Sequence, residues 1–270
     1  LQLALQLQSG SFSKRKEQKF TTEEGYSWYS ILILIGALGF FIYGMKIMSE
    51  GIQRFAGDKM RQILGVMTTN RFAGLFTGFL TTSLIQSSSA TTVMIVSFVN
   101  AGLLSLRQAI GVIMGANIGT TVTAVMVTFL GFSKFSIASY SLPIIAIGFP
   151  LLFMKGDRTR SFGEFLIGFG LLFMGLDALK NAVPGLDSGI MMYLEPLTGM
   201  GVFSTLLFVG IGTIITVIIQ SSSAAMTLTL VLCGKGLPFE LAAAIVLGEN
   251  IGTTITANLA AMIGNVHAKR

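Results

Sequence analysis

The sequence predicts an all-α polytopic membrane protein built from two inverted-topology repeats, each with a transmembrane helix, a re-entrant helical hairpin and a broken transmembrane helix. Three observations carry this expectation. Hydrophobic residues make up 52% of the 270 positions and charged ones only 11%, against about 25% charged in a soluble domain. Seven of the thirty charges crowd into Lys14–Glu24, so the rest of the chain is poorer still and suits lipid rather than water. Polar landmarks then recur in order. Gly39–Met45 returns as Gly170–Leu176, Gln86–Ala90 as Gln220–Ala224 and Gly115–Thr121 as Gly248–Thr254, at shifts of 131, 134 and 133. Shifts so nearly equal mark an internal duplication. Finally, the basic linkers fall on one side when the chain is threaded through a bilayer, and this makes the two copies opposite in direction.

Taken in order, residues 1–27 read as a flexible polar leader whose first residues fit the tail of a signal peptide. Repeat 1 covers 28–154. Its first span runs from about Trp28 to Glu50, followed by a linker, Arg54–Arg71, with a net charge of +3. Phe72–Gly102 has no charge at all and is too long for one span of about 20 residues. Its middle, Thr81–Ser89, is poor in helix formers, so two half-helices meeting at Gln86–Ser89 form the hairpin. Arg107–Leu130 is a span expected to unwind at Gly115–Thr121, and Phe135–Met154 crosses once more. Residues 155–162 form a basic turn, 163–266 repeat 2, and 267–270 the cytoplasmic end. The outer linker of repeat 2 holds Asp187 and Glu195 but no Lys or Arg, which places the amino terminus outside and the basic segments in the cytoplasm.

Composition removes several classes of function. Cys233 is the single cysteine and His267 the single histidine, which excludes an internal disulfide and leaves Ser–His catalysis and histidine or thiolate metal sites without residues. An intramembrane serine hydrolase also lacks a base, so the chain reads as no enzyme. The net charge of +6 comes from Lys and Arg at the ends of apolar runs rather than a stripe, so no nucleic-acid partner is expected.

The repeated Gln, Ser, Asn and Thr residues offer neutral oxygens. A hard monovalent cation wants a cage of such oxygens, which broken helices supplement with freed carbonyls where the backbone lines a cavity. Half-helix amino termini favour an anion instead. One Ser/Thr cluster alone is more often packing glue, but its duplication favours a site. The Gly111, Gly115 and Gly119 steps serve equally well as close helix contacts. Glu249 stands where repeat 1 has Ala116; an intramembrane carboxylate is either functional or a hydrogen-bonded structural acid. Lys46 and Glu50, four apart, read as a structural pair.

These motifs resemble the type II sodium–phosphate cotransporter family: Gln86–Ser89 with Asn117–Thr120, and Gln220–Ser223 with Asn250–Thr253, over about residues 30–265. The resemblance implies sodium-coupled phosphate uptake by alternating access across the plasma membrane (a bacterial inner membrane), with no cofactor beyond Na+ as coupling ion. It implies phosphate contacts from Gln86, Ser87, Ser88, Ser89, Gln220, Ser221, Ser222 and Ser223. Sodium ligands by the same resemblance are Gln86, Ser87, Asn117, Thr120, Thr123, Gln220, Ser221, Asn250, Thr253 and Thr256. The expected partners are phosphate, Na+ and the lipid bilayer, with a homodimer left open and a domain resembling the phosphate-uptake regulator PhoU expected in the full-length chain. The family continues beyond the second broken span, so repeat 2 is expected to be truncated. An aspartate tied to charge movement in some animal members has no counterpart between Asn117 and Lys155. By physics alone another small anion fits as well as phosphate, and a channel or a phosphate-sensing scaffold stays open; saturable flux would separate a carrier from a channel.

Overall fold

A computed structural model describes residues 28–66, 70–132, 137–183, 185, 197 and 201–262. The leader, the outer linker with Asp187 and Glu195, and His267–Arg270 lie outside the described residues. By internal contacts the chain divides into 1–36 and 37–270; all that follows on packing and on the site concerns the second unit.

Every element among the described residues is helical: α1 (Trp28–Val66), α2 (Arg71–Ile85), α3 (Ser88–Asn100), α4 (Leu106–Met126, extended by a π turn, Val127–Gly131), α5 (Ser141–Leu151, preceded by a 3-10 turn, Ile137–Tyr140), α6 (Asp157–Ala182), α7 (Val202–Ile219), α8 (Ser222–Gly234) and α9 (Phe239–Met262). Segments Trp28–Ala56, Leu106–Gly131, Asp157–Ala182 and Val202–Ile219 are long and apolar enough to cross a membrane. Large apolar side chains face outward on them, Ile218 being 76% exposed, an arrangement that suits lipid and penalises water. This is a multi-pass membrane protein.

Several boundaries differ from the sequence expectation. α1 does not stop at Glu50 but continues through the basic linker to Val66, because good helix formers such as Gln53, Arg54, Met60 and Arg61 outweigh Gly51, Gly57 and Gly65 and no proline interrupts the run. The basic stretch 155–162 is not a single turn, since Asp157 opens α6 with its acid at the positive helix end. The expected crossing Phe135–Met154 yields only the 15-residue helical stretch Ile137–Leu151, about 22 Å long. The chain leaves it in a turn directly after Pro150.

The largest correction concerns the two spans expected to unwind. Both α4 and α9 are continuous helices through Gly115–Thr121 and Gly248–Thr254. Their glycines bring helices together rather than break them. A Cβ on Gly115 would strike the Leu75 carbonyl and one on Gly78 the Val112 carbonyl. In repeat 2 a Cβ on Gly248 would strike the Val209 carbonyl and one on Gly212 the Ile245 carbonyl. The pairs α2–α4 and α7–α9 are thus locked in the same backbone-to-backbone register, the small-residue packing common between helices in lipid.

Glycines also join the two halves. Along α1, Phe41, Gly44, Met48 and Gly51 meet Gly175, Leu172, Gly168 and Phe165 of α6 in that order, so the first helices of the two repeats pack antiparallel. The last helices cross over as well: α3 packs on α9 and α8 on α4. Matching apolar clusters, Ile95, Val99, Leu104, Ala109 and Val112 in one half and Phe208, Leu237, Leu241, Ala242 and Ile245 in the other, fill the interior.

Candidate functional site

The site grows from one local structure made twice. α2 ends at Ile85 because Gln86 adopts a left-handed conformation (φ 57°, ψ 24°), its N–H bonding the Thr82 carbonyl. Gln220 ends α7 identically (φ 56°, ψ 25°) on the Thr216 carbonyl. They are the only non-glycine residues with positive φ among those described. For a residue with a Cβ this conformation costs about 1–2 kcal/mol. Each glutamine offsets part of that cost, its side-chain amide donating back to a helix-terminal carbonyl, Gln86 to Ser83 and Gln220 to Val217. Ser87 and Ser221 follow as N-caps, accepting from the N–H of Ala90 at 3.2 Å and of Ala224 at 3.3 Å. The repeated Gln-Ser-Ser-Ser is therefore a helix-stop, helix-start cassette.

The two cassettes meet. Ser88 Oγ lies 3.5 Å from Ser222 Oγ, and both residues are buried. They are the first residues of α3 and α8, so two helix amino termini, each with a positive dipole end and unpaired N–H groups, converge across the repeats. Thr256 Oγ1 of α9 lies 3.4 Å from Ser89 Oγ, a second link between the halves. Thr82 reaches Thr91 at 3.1 Å and ties the arms of the first hairpin. A cavity of about 320 Å³ adjoins the tips, lined by Gln86, Ser87, Ala90 and Ser221 and by Met45, Lys46, Ser49, Glu50 and Gln53 on α1.

The halves also differ. Gln86 is buried, and its Oε1 accepts from Thr123 at 2.8 Å, whereas Gln220 is exposed and Thr256, the counterpart of Thr123, bonds Ser89 and the Thr253 carbonyl instead. Among the described residues no hydrogen bond joins Asn117, Thr120, Asn250 or Thr253 to a tip. Thr120 and Thr253 bond the carbonyls one turn back, those of Ala116 and Glu249, and Ser223 is buried beside Ser222. Because α4 and α9 stay helical, the freed carbonyls expected for a cation cage are engaged within these helices, and side-chain oxygens are the available donors.

Glu249 is 1% exposed; Thr229 donates to its Oε1 at 2.7 Å, while Oε2 has no partner. Repeat 1 holds Ile95 and Ala116 at the matching places, both buried, so the acid and its hydroxyl partner stand together where the other half has an apolar pair. Glu249→Gln is expected to fold normally, since an amide oxygen accepts from Thr229 equally well. In Glu249→Leu the Thr229 hydroxyl keeps the Ala225 carbonyl, 3.2 Å away, as its acceptor and the unpartnered Oε2 is removed, so the loss is expected to stay within about 1 kcal/mol. Thermal melts of the purified variants check both.

The sequence missed the α1 wall. Ser49 donates to the Ile85 carbonyl at the end of α2, and Gln53 donates to Ser49 at 2.9 Å. Their one signal was position: they follow the duplicated Gly39–Met45 segment, whose Ile42 and Met45 line the same cavity.

The sequence model described as "Na+/Pi-cotransporter" matches residues 40–181 and 193–268. The chain belongs to this family. It is 31% identical to YjbB of Escherichia coli (strain K12), named as a candidate inorganic phosphate export protein, over 89% of this chain and 43% of the relative. It is 30% identical to YqeW of Bacillus subtilis (strain 168) over 86% of this chain and 73% of the relative. Sodium-dependent phosphate transport protein 2B of Homo sapiens is 39% identical over 37% of this chain and 15% of its own length. The chain thus spans less than half the length of the Escherichia coli protein. No solved structure matches it.

Proposed function

We propose that this protein is a secondary transporter that moves inorganic phosphate coupled to Na+, with the anion held between the two Gln-Ser-Ser-Ser tips. The observation that carries this reading is the meeting of Ser88 and Ser222 at 3.5 Å. Two converging helix amino termini supply N–H groups and hydroxyls to one tetrahedral oxyanion without a full positive charge. Threonine, serine and glutamine oxygens beside them, Thr123 and Gln86 in one half and Thr256 and Ser89 across the halves, suit a hard monovalent cation. The antiparallel pairing of α1 with α6 and the reciprocal packing of α3 and α8 support inverted repeats around a central site, the arrangement used for alternating access. α2 and α3, of 15 and 13 residues, are about 22 and 20 Å long, shorter than the roughly 30 Å apolar core, as a re-entrant hairpin requires. α7, with 18 residues, is longer and reaches farther across.

The test is radiolabelled phosphate uptake into liposomes containing the intact protein, with Na+ or choline outside. Uptake that collapses in choline and resists competing sulfate supports the reading, and equal uptake in both salts removes sodium coupling. A second reading, sodium-linked phosphate export, is favoured by the name of the Escherichia coli relative. Vesicles loaded with labelled phosphate separate the two, because export predicts faster efflux from the cytoplasmic face than uptake into it.

A further inference from the structure

The α1 wall of the tip cavity carries charges that neither the duplication nor the cation and anion chemistry above requires. Lys46 and Glu50 line the cavity, together with the neutral Ser49 and Gln53, and Lys46 is its single cationic lining residue among those described. Outward from it runs a chain of alternating charge. Lys46 Nζ lies 3.9 Å from Glu50, Glu50 lies 3.3 Å from Arg54, Arg54 lies 2.8 Å from Glu164, and Glu164 lies 3.7 Å from Arg160. Three cations and two carboxylates leave the chain net positive. Arg54 is the nearest cation to both carboxylates, so the surplus charge is shared by the two ends, Lys46 and Arg160, and of these Lys46 is the one that borders the tip cavity. A second concavity, of about 270 Å³ and lined by Glu50, Arg54, Arg160 and Glu164, continues the path toward the basic segment that opens α6.

The other repeat does not reproduce this. With Gly44 matched to Gly175, Lys46 corresponds to Asp177, Ser49 to Lys180 and Glu50 to Asn181. Asp177 is exposed and accepts from Asn181 at 3.4 Å. Lys180 is drawn off elsewhere, donating to the Gly131 carbonyl and lying 4.2 Å from the Phe132 ring centre. Where α1 carries a lysine beside the tips, the matching position of α6 carries an aspartate.

We infer that Lys46 is an oxyanion-capturing residue of the tip cavity that acts from one membrane face alone, the face of Arg54 and Arg160, and so gives phosphate a lower half-saturation on that face than on the other. The inference rests on reading the tips as the oxyanion site. Lys46 is 68% exposed at the open rim of the cavity, where a full charge raises the local concentration of a phosphate dianion on its own side. Basic segments face the cytoplasm in membrane proteins, so the favoured face is the cytoplasmic one.

The experiment measures phosphate transport by the intact protein in inside-out and right-side-out vesicles at saturating Na+. In the unaltered protein, half-saturation is expected to be lower from the Arg54–Arg160 face. Lys46→Gln is expected to raise it about threefold on that face, equivalent to about 0.7 kcal/mol for a solvent-exposed charge, with the maximal rate and the opposite face little changed. Lys46→Arg is expected to restore it. A loss of maximal rate on both faces, with no rescue by arginine, would mark Lys46 as structural and overturn the inference. Unchanged half-saturation in Lys46→Gln also overturns it, leaving the transporter reading in place. Absence of saturable phosphate transport by the unaltered protein overturns both.

Discussion

Ser221→Asp is expected to fold, reach the membrane and lose phosphate transport by about 100-fold or more. Ser221 has two separable roles. As N-cap of α8 it accepts from Ala224 N–H at 3.3 Å, and Asp and Asn replace serine at such positions with little loss. As a lining residue of the tip cavity it faces the space proposed for the anion, where a carboxylate repels an oxyanion by several kcal/mol, and about 2.7 kcal/mol already gives 100-fold. Ser221→Asn, which keeps the cap and adds no charge, is expected to retain transport within about tenfold. Membrane abundance and thermal melts confirm that both variants fold; phosphate uptake then separates them. Equal uptake by the two variants would remove Ser221 from the anion site.

The second large effect is on folding. Gly115→Val and Gly248→Val are each expected to destabilise the protein by about 3 kcal/mol or more, the upper end of overpacking costs. In both cases the new side chain drives into a backbone carbonyl of the facing helix, Leu75 or Val209, which no rotamer change relieves. The two positions are 133 apart and perform the same packing in the two halves, so their losses are expected to be similar. Thermal melts in detergent measure this. A melting temperature unchanged in either variant would contradict the backbone-to-backbone register.

Much of the site was legible because its motif encodes local geometry. Gln-Ser-Ser-Ser announces a helix stop and a helix start, and its recurrence at a fixed shift announces two tips. Their meeting is shown by the fold, where Ser88 Oγ lies 3.5 Å from Ser222 Oγ. The glycines were misread as breaks because glycine carries two messages in a helix: backbone freedom, and a missing side chain. Here α2 and α7 press against the gap and hold the helix straight, so the second message prevails. That depends on a neighbour distant in sequence, Leu75 for Gly115 and Val209 for Gly248, which no local pattern reveals. The end of α1 was misplaced for a related reason: charge suggested a linker, but helix propensity does not fall at a charged residue. Lys46 and Glu50 were legible as a pair, and the pair forms. Their place on the wall of the tip cavity required the folded arrangement of α1 against both hairpins.

The central claim is that the two serine tips adjoin one transport pocket, and a pair of cysteines tests it most directly. In a Cys233→Ala background, Ser88→Cys and Ser222→Cys place two sulfurs where the hydroxyl oxygens stand 3.5 Å apart, close enough for a disulfide after a small shift. A mild oxidant is expected to join them, as read by mass spectrometry of the linked peptides. The bond is expected to stop phosphate transport, reduction to restore it, and phosphate with Na+ to slow its formation. Thiols that stay free under oxidant, or a linked protein that transports as fast as the reduced one, would contradict the account.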